Sequence, residues 1–177
     1  QVLKTDPAQE HFIYSSFHLS AAERRYHDRG CCSYIPSSLG EIPAMYRQGL
    51  ADRPDIAFVQ VAPMNGAGCF NFGAAIAYEK ALCDAARTVV VEVNETQPWV
   101  DGGRDEVIHI SEVDYIVENT KHPLVELPDP PVTAADEAIA GHIVSLMEDG
   151  SGIEIGIGAI PTAIANLLMK SGLRDLG

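Results

Sequence analysis

A chain of 177 residues, 46% of them hydrophobic, is long enough to bury an ordinary domain core and too apolar to be disordered. Its formal charge of −13 and isoelectric point near 4.7 exclude nucleic acid and anionic membrane surfaces as natural partners, because no basic stretch offsets the repulsion. The chain has neither a basic leader followed by an apolar stretch nor an apolar run of about eighteen residues, so neither secretion nor a membrane span is expected.

Residues 1–30 scatter Phe12, Tyr14, Phe17 and Tyr26 among charges and show no clear period. The opening residue is Gln1, as expected of a processed or excised segment. Residues 56–61 (IAFVQV) are a mostly apolar run of strand length, the pattern of a strand covered on both faces. A glycine-containing turn at 65–68 follows. Residues 73–86 read as a helix, since Tyr78, Ala81, Leu82 and Ala85 recur at i, i+3, i+4 and i+7. A second strand at 88–93 completes a βαβ unit, which implies a right-handed parallel crossover. Short strands are expected at 107–110 and 115–118.

The stretch HPLVELPDPPV at 122–132 holds four prolines and breaks both periodicities, so it reads as an extended connector between domains, 1–121 and 133–177. Beyond it, Thr133 is placed to cap a helix with Asp136 and Glu137 in its first turn, a buried stripe of Ile139, His142, Ile143 and Leu146, and Gly150 at its end. Glu148 and Asp149 read as closing that helix or beginning a turn. A strand at 153–155 then leads into GIGAIP at 156–161, with Pro161 at the first helical position and Ile164, Leu167 and Leu168 on one helix face. One helix–strand–helix set is too small to build its own core, so the chain looks cut in mid-domain at Gly177.

The glycine run is the most informative local feature. It lacks the third glycine of a dinucleotide fingerprint and the Lys-Ser/Thr of a P-loop. A loop of this kind at a strand's carboxyl end either brings backbone N–H groups to a ligand or simply lets a helix pack close to a strand.

Several runs together resemble the acetyl-CoA hydrolase/transferase family, over roughly residues 12 to 177. They are Tyr34-Ile35-Pro36 with Glu41-Ile42-Pro43, VQVAPMNGAGCFNFG at 59–73, Glu92-Val93-Asn94 with Pro98, HISEVDYIV at 109–117, MEDG at 147–150 and GIGAIP at 156–161. Family members acting on succinyl-CoA and acetate tend to read GIGNIAN at the last of these, so GIGAIP favours the butyrate or 4-hydroxybutyrate type. The resemblance implies a fold of paired α/β parallel-sheet CoA-transferase-like domains, with this chain covering most of the first and the start of the second. It also implies movement of coenzyme A from an acyl-CoA thioester to a free carboxylate through a glutamyl-CoA thioester. Hydrolysis of the thioester by water, and a non-catalytic α/β binding subunit, are the alternatives.

Each step of the implied chemistry passes through a tetrahedral oxyanion, and losing one donor to such an oxygen costs about 3–4 kcal/mol in other acyl-transfer enzymes. The resemblance therefore assigns Gly156, Gly158 and Ala159 to oxyanion or CoA binding. It leaves the nucleophilic glutamate downstream of Gly177, since nothing here matches its motif, and this segment alone is expected to be inactive. Coenzyme A enters as substrate, with no permanently bound cofactor. The implied partners are an acyl-CoA, a small carboxylate, the remainder of the polypeptide or a complementary chain, and a second copy in a homodimer.

Met64, Asn65 and Gly68 follow a strand and either face the cleft or form a turn that folds Phe70 and Phe72 into the core. Gln97 and Pro98 follow the next strand, where Gln97 is placed to bond a substrate and Trp99 to wall a pocket; a plain surface loop is the other reading. Related sequences often carry Met-Pro-Arg at this loop. Arg24 and Arg25 pair with a carboxylate or phosphate, or are solvated helix charges. Glu92 beside Asn94 reads more readily as a hydrogen-bonded structural group than as a nucleophile. The six histidines show no metal-ligand spacing and His142 reads as a core residue, so no metal is expected. Cys31, Cys32, Cys69 and Cys83 contain no C-x-x-C pair, and the adjacent two disfavour a mutual bridge, so free thiols in a reducing cytoplasm are expected. Cys69 lacks a nameable base.

Overall fold

In the computed structural model, which describes residues 2–74, 76–125 and 130–177, the β-branched run TVVVEVN is the central strand of a three-stranded parallel sheet. Two units divide the chain, Gln1–Leu124 and Val125–Gly177. Residues 126–129 of the expected proline-rich connector lie outside the described residues.

The first unit contains, in order, α1 (Val2–Thr5), β1 (Ser15–Ser16), α2 (Ala21–His27), β2 (Ser33–Tyr34), α3 (Ile42–Arg47), β3 (Ile56–Val61), β4 (Cys69–Asn71), α4 (Glu79–Ala85), β5 (Thr88–Asn94), β6 (Val107–His109) and β7 (Tyr115–Asn119). The main sheet has the order β3-β5-β7, all parallel, with Val61 opposite Val93 and Val93 opposite Glu118. Asp114 fixes the start of β7, since its carboxylate accepts the Val89 N–H at 2.7 Å.

One face of this sheet is the core. Ala57, Val59, Val61, Val89 and Val91 point to it and meet Phe70, Phe72, Cys83 and Ile108 from β4, the segment after it, α4 and β6. Removing the valine, isoleucine and phenylalanine side chains among them from water stabilises the fold by about 1.5–3 kcal/mol each. The opposite face departs from the expectation of a strand covered twice, because Phe58 is 73% exposed and Ile56 and Tyr115 are open as well. Apolar residues at alternate positions thus occupy both sides of β3, but α4 and the β4–β6 ribbon pack on only one.

The helix expected over 73–86 begins only at Glu79. Gly73 takes φ +85°, outside helical space, and the Glu79 carboxylate accepts the N–H groups of Ala77 and Tyr78 at 2.7 and 2.9 Å, which holds the preceding residues in a non-helical turn. The strand expected at 107–110 ends at His109 and pairs antiparallel with β4, away from the main sheet, before a 3₁₀ turn at Ile110–Glu112.

The second unit contains α5 (Ala134–Val144) and α6 (Ala159–Leu168), which pack together. Thr133 caps α5 reciprocally: its hydroxyl accepts the Asp136 N–H at 3.3 Å, and the Asp136 carboxylate accepts the Thr133 N–H at 2.8 Å. Three expectations here need correction. α5 stops at Val144, well before Gly150, while Glu148 takes the second of its two expected roles and begins a turn, its carbonyl accepting the Ser151 N–H at 3.1 Å. Of the expected stripe, His142 is exposed, Ile139 and Leu146 are exposed as well, and Ile143 is half-buried; the buried residues of the helix pair are the small Ala140 and Ala163. Residues 153–155 join no sheet ladder among the described residues; the Ile153 N–H donates instead to the Gly177 carbonyl at 2.6 Å.

Candidate functional site

Because β3, β5 and β7 run parallel, their carboxyl ends emerge at one edge, where open α/β sheets bind ligands. A crevice of about 340 Å³ lies there, within the range of small-molecule sites, roughly 300–1,000 Å³. Met64 and Pro63 follow β3, Phe70 rises from β4, Val93 comes from the end of β5 and Glu95 from the residue after it, and Ile116, Glu118 and Thr120 come from β7 and the residue after it. The floor is apolar and the rim is acidic.

Asparagine amides tie down the segments around the crevice, two of them buried (Asn71 and Asn94) and one half-buried (Asn119). Asn94 donates to the His122 carbonyl at 3.0 Å and accepts from the Thr96 N–H and hydroxyl at 3.0 and 2.8 Å. Asn119 donates to Glu92 at 2.6 Å and accepts from the Lys121 and His122 N–H groups. Glu92 also accepts from Gln60 at 3.0 Å, so its carboxylate bridges three neighbouring strands. Asn71 accepts from the N–H groups of Gly73 and Val100 and donates to the Val100 carbonyl, tying down the loop after β5. Sequence reasoning named Glu92 and the neighbouring Asn94 as a hydrogen-bonded structural pair but gave no role to Asn71 or Asn119. Their signal is positional: β4, β5 and β7 are apolar runs that each end in Asn.

Of the residues singled out in the first unit, only Met64 lines the crevice. Asn65 spends its side-chain oxygen on the N–H groups of Ala67 and Cys69, both at 3.0 Å, and Gly68 donates to the Asn65 carbonyl. Gln97 faces inward to the Phe72 carbonyl at 2.7 Å, while Pro98 and Trp99 are exposed. Arg24 reaches back to the Leu19 carbonyl, and Arg24 and Arg25 are both exposed on α2. Phe70 and Phe72 are buried as the turn reading requires.

In the second unit, Gly158 is the N-cap of α6, with φ +148°, a value L side chains rarely adopt. The helix starts at Ala159, so Pro161 is its third residue and not its first. The position still suits proline, whose missing N–H would have no intrahelical partner in the first turn. The N–H groups of Gly156, Ile157 and Gly158 have no acceptor among the described residues.

All four cysteines are free, and burial pushes the Cys83 thiol up to about 11. No group of three potential metal ligands occurs among the described residues, and no helix is long and apolar enough to cross a membrane.

Residues 1–128 match the family model described as the acetyl-CoA hydrolase/transferase N-terminal domain. The whole chain is 38% identical to the butyryl-CoA:acetate CoA-transferase of Anaerostipes caccae and covers 40% of it. With the 4-hydroxybutyrate coenzyme A transferase of Clostridium kluyveri, identity is 34% over 96% of this chain and 38% of that one. The solved RipA of Yersinia pestis is 32% identical, with a TM-score of 0.80 over 93% of this chain and 38% of its own. A solved 4-hydroxybutyrate CoA-transferase from Porphyromonas gingivalis is 30% identical, with a TM-score of 0.73 over 98% of this chain and 44% of its own. The chain thus spans about two fifths of the length of the curated relatives it matches.

Proposed function

The chain belongs to the acetyl-CoA hydrolase/transferase family, and we propose on that footing that it forms part of an acyl-CoA:carboxylate CoA-transferase of butyryl or 4-hydroxybutyryl type. The observation that carries this reading is the crevice at the carboxyl edge of β3, β5 and β7, in a chain of this family. Its apolar floor suits a short acyl chain, and its walls are held by the hydrogen-bonded amides of buried Asn94 and half-buried Asn119.

In this reading a glutamate outside the chain attacks the thioester carbonyl and expels CoA thiolate, giving an acyl-glutamyl anhydride. The thiolate then attacks the glutamyl carbonyl of the anhydride, forming glutamyl-CoA and releasing the original acyl group as its free carboxylate, and the acceptor carboxylate reverses the sequence to carry CoA away as the new thioester. The unpaired N–H groups of Gly156 and Gly158, with that of Ala159 in the first turn of α6, supply donors for an oxyanion or a CoA phosphate. Gln97 is committed to the Phe72 carbonyl, which favours a structural role for it over a substrate contact. Glu92, held by Gln60 and Asn119, organises the strand ends. The enzyme works as a homodimer in the cytoplasm, with coenzyme A as substrate and no resident cofactor.

The test is exchange between butyryl-CoA and acetate, with acetyl-CoA followed by chromatography, on this chain alone and on the product of the full reading frame that contains it. Exchange by the longer product only is the expected result. Exchange by this chain alone would place the nucleophile within it, thioester loss without acetyl-CoA would mean hydrolysis, and silence from both with several acyl donors would remove the reading.

A further inference from the structure

We propose that the crevice beneath β7 seats an uncharged acyl chain, and that Glu95 and Glu118 at its mouth exclude acyl groups ending in a carboxylate. This deepens the transferase reading and rests on it.

The sheet explains why the crevice exists. Ile116 pairs with Val91 and therefore points to the same face, yet Val91 is fully buried while Ile116 is 47% exposed. The layer that covers β3 and β5 stops short of edge strand β7, leaving Ile116, Val93, Phe70 and Met64 around an open apolar space. A hydrocarbon segment of a ligand would cover apolar surface that this chain leaves exposed.

The charge pattern supplies the selection. Glu118 lies opposite Val93 on this same face, and Glu95 follows the last residue of β5. Neither carboxylate has a hydrogen bond or ion pair among the described residues, and no Lys, Arg or His lines the crevice. Lys121 and His122 line a smaller adjoining cavity of about 140 Å³ that shares Glu95, Asn119 and Thr120. A carboxylate brought within about 6 Å of both glutamates loses on the order of tenfold in affinity even at the dielectric of water. A methyl or hydroxyl terminus suffers no such loss, and a hydroxyl can donate to either glutamate.

The experiment titrates the isotopically labelled 177-residue chain with the N-acetylcysteamine thioesters of butyrate, 4-hydroxybutyrate and succinate, following backbone amide resonances. The butyryl and 4-hydroxybutyryl thioesters should shift Met64, Val93 and Ile116, and the succinyl thioester should bind about tenfold more weakly. Glu95→Gln with Glu118→Gln should abolish that difference, and added salt should narrow it in the wild-type chain. Equal affinity for all three, a succinyl thioester held at Lys121, or no shift in the crevice from any of them would overturn the proposal. Because this readout needs no turnover, it separates from the exchange assay. Transfer activity without charge discrimination would sink the filter alone, whereas discrimination without transfer would sink the transferase reading alone.

Discussion

The side chain of Gln97 occupies the space that a β-carbon on Gly73 would need: its Cδ stands 2.6 Å from that position while its Nε2 donates to the Phe72 carbonyl at 2.7 Å. The loop after β5 is thereby keyed into the backbone that follows β4. Gly73 also has φ +85°, so both space and conformation exclude a larger residue there. Gly73→Ala should destabilise the chain by about 1–3 kcal/mol in urea unfolding. Adding Gln97→Ala should recover part of that loss, because the overlap disappears while the backbone strain remains. Strict additivity in the double-mutant cycle would show that the two side chains do not compete for one space.

Asn94 offers a second test at the crevice wall. It is buried, and its amide serves the His122 carbonyl, the Thr96 N–H and the Thr96 hydroxyl at once. Asn94→Ala leaves those groups short of partners and should cost about 1–3 kcal/mol. Hydrogen exchange at the Thr96 amide should speed up more than at the core amides of β5. A loss below about 0.5 kcal/mol with unchanged exchange would mean that water replaces the side chain freely.

Lys80 defines a pH window. Burial opposes its charge, but the Asp84 and Glu112 carboxylates, at 2.5 and 2.7 Å, outweigh burial and hold its pKa above the ordinary 10.5. Glu112 is held below its ordinary 4.5, first by the hydrogen bond from Lys80. The Lys80 contribution is therefore complete below about 10.5 and is lost as pH rises through its higher folded value; the Glu112 contribution is complete above about 4.5 and is lost as pH falls through its lower folded value. With both carboxylates 44% exposed, Lys80→Met should cost only about 0.2–1 kcal/mol at pH 7. The gap between variant and wild type in urea midpoint should shrink toward pH 3. A gap unchanged from pH 7 to pH 3 would assign the loss to packing of the lysine stem instead.

The parallel strands were legible because their period and β-branched content are local properties of the chain. Residues 56–61 and 88–94 needed no neighbours to declare themselves. The cap at Thr133 was legible for the same reason, since a capping box is complete within four residues. The motifs from Tyr34 to Pro161 pointed to the family through their order and spacing, which are written along the chain itself.

Tertiary structure alone decided the rest. The stripe on α5 predicted His142 as a core residue, but which face of a short helix is buried depends on what packs against it, and there small alanines fill the buried positions. The late start of α4 follows from Gly73 and the Glu79 carboxylate, a balance that helical periodicity does not register. Most of all, the crevice exists because covering elements reach β3 and β5 but not β7, and the asparagine locks join residues 27–29 positions apart. The sequence by itself determined the three parallel strands, one helix cap and the family to which the chain belongs. Where the sheet was left uncovered, which amides met across it and which carboxylates stood unpaired at its mouth were decided only when distant residues packed, because a hydrogen bond or a void between remote segments has no local pattern to announce it.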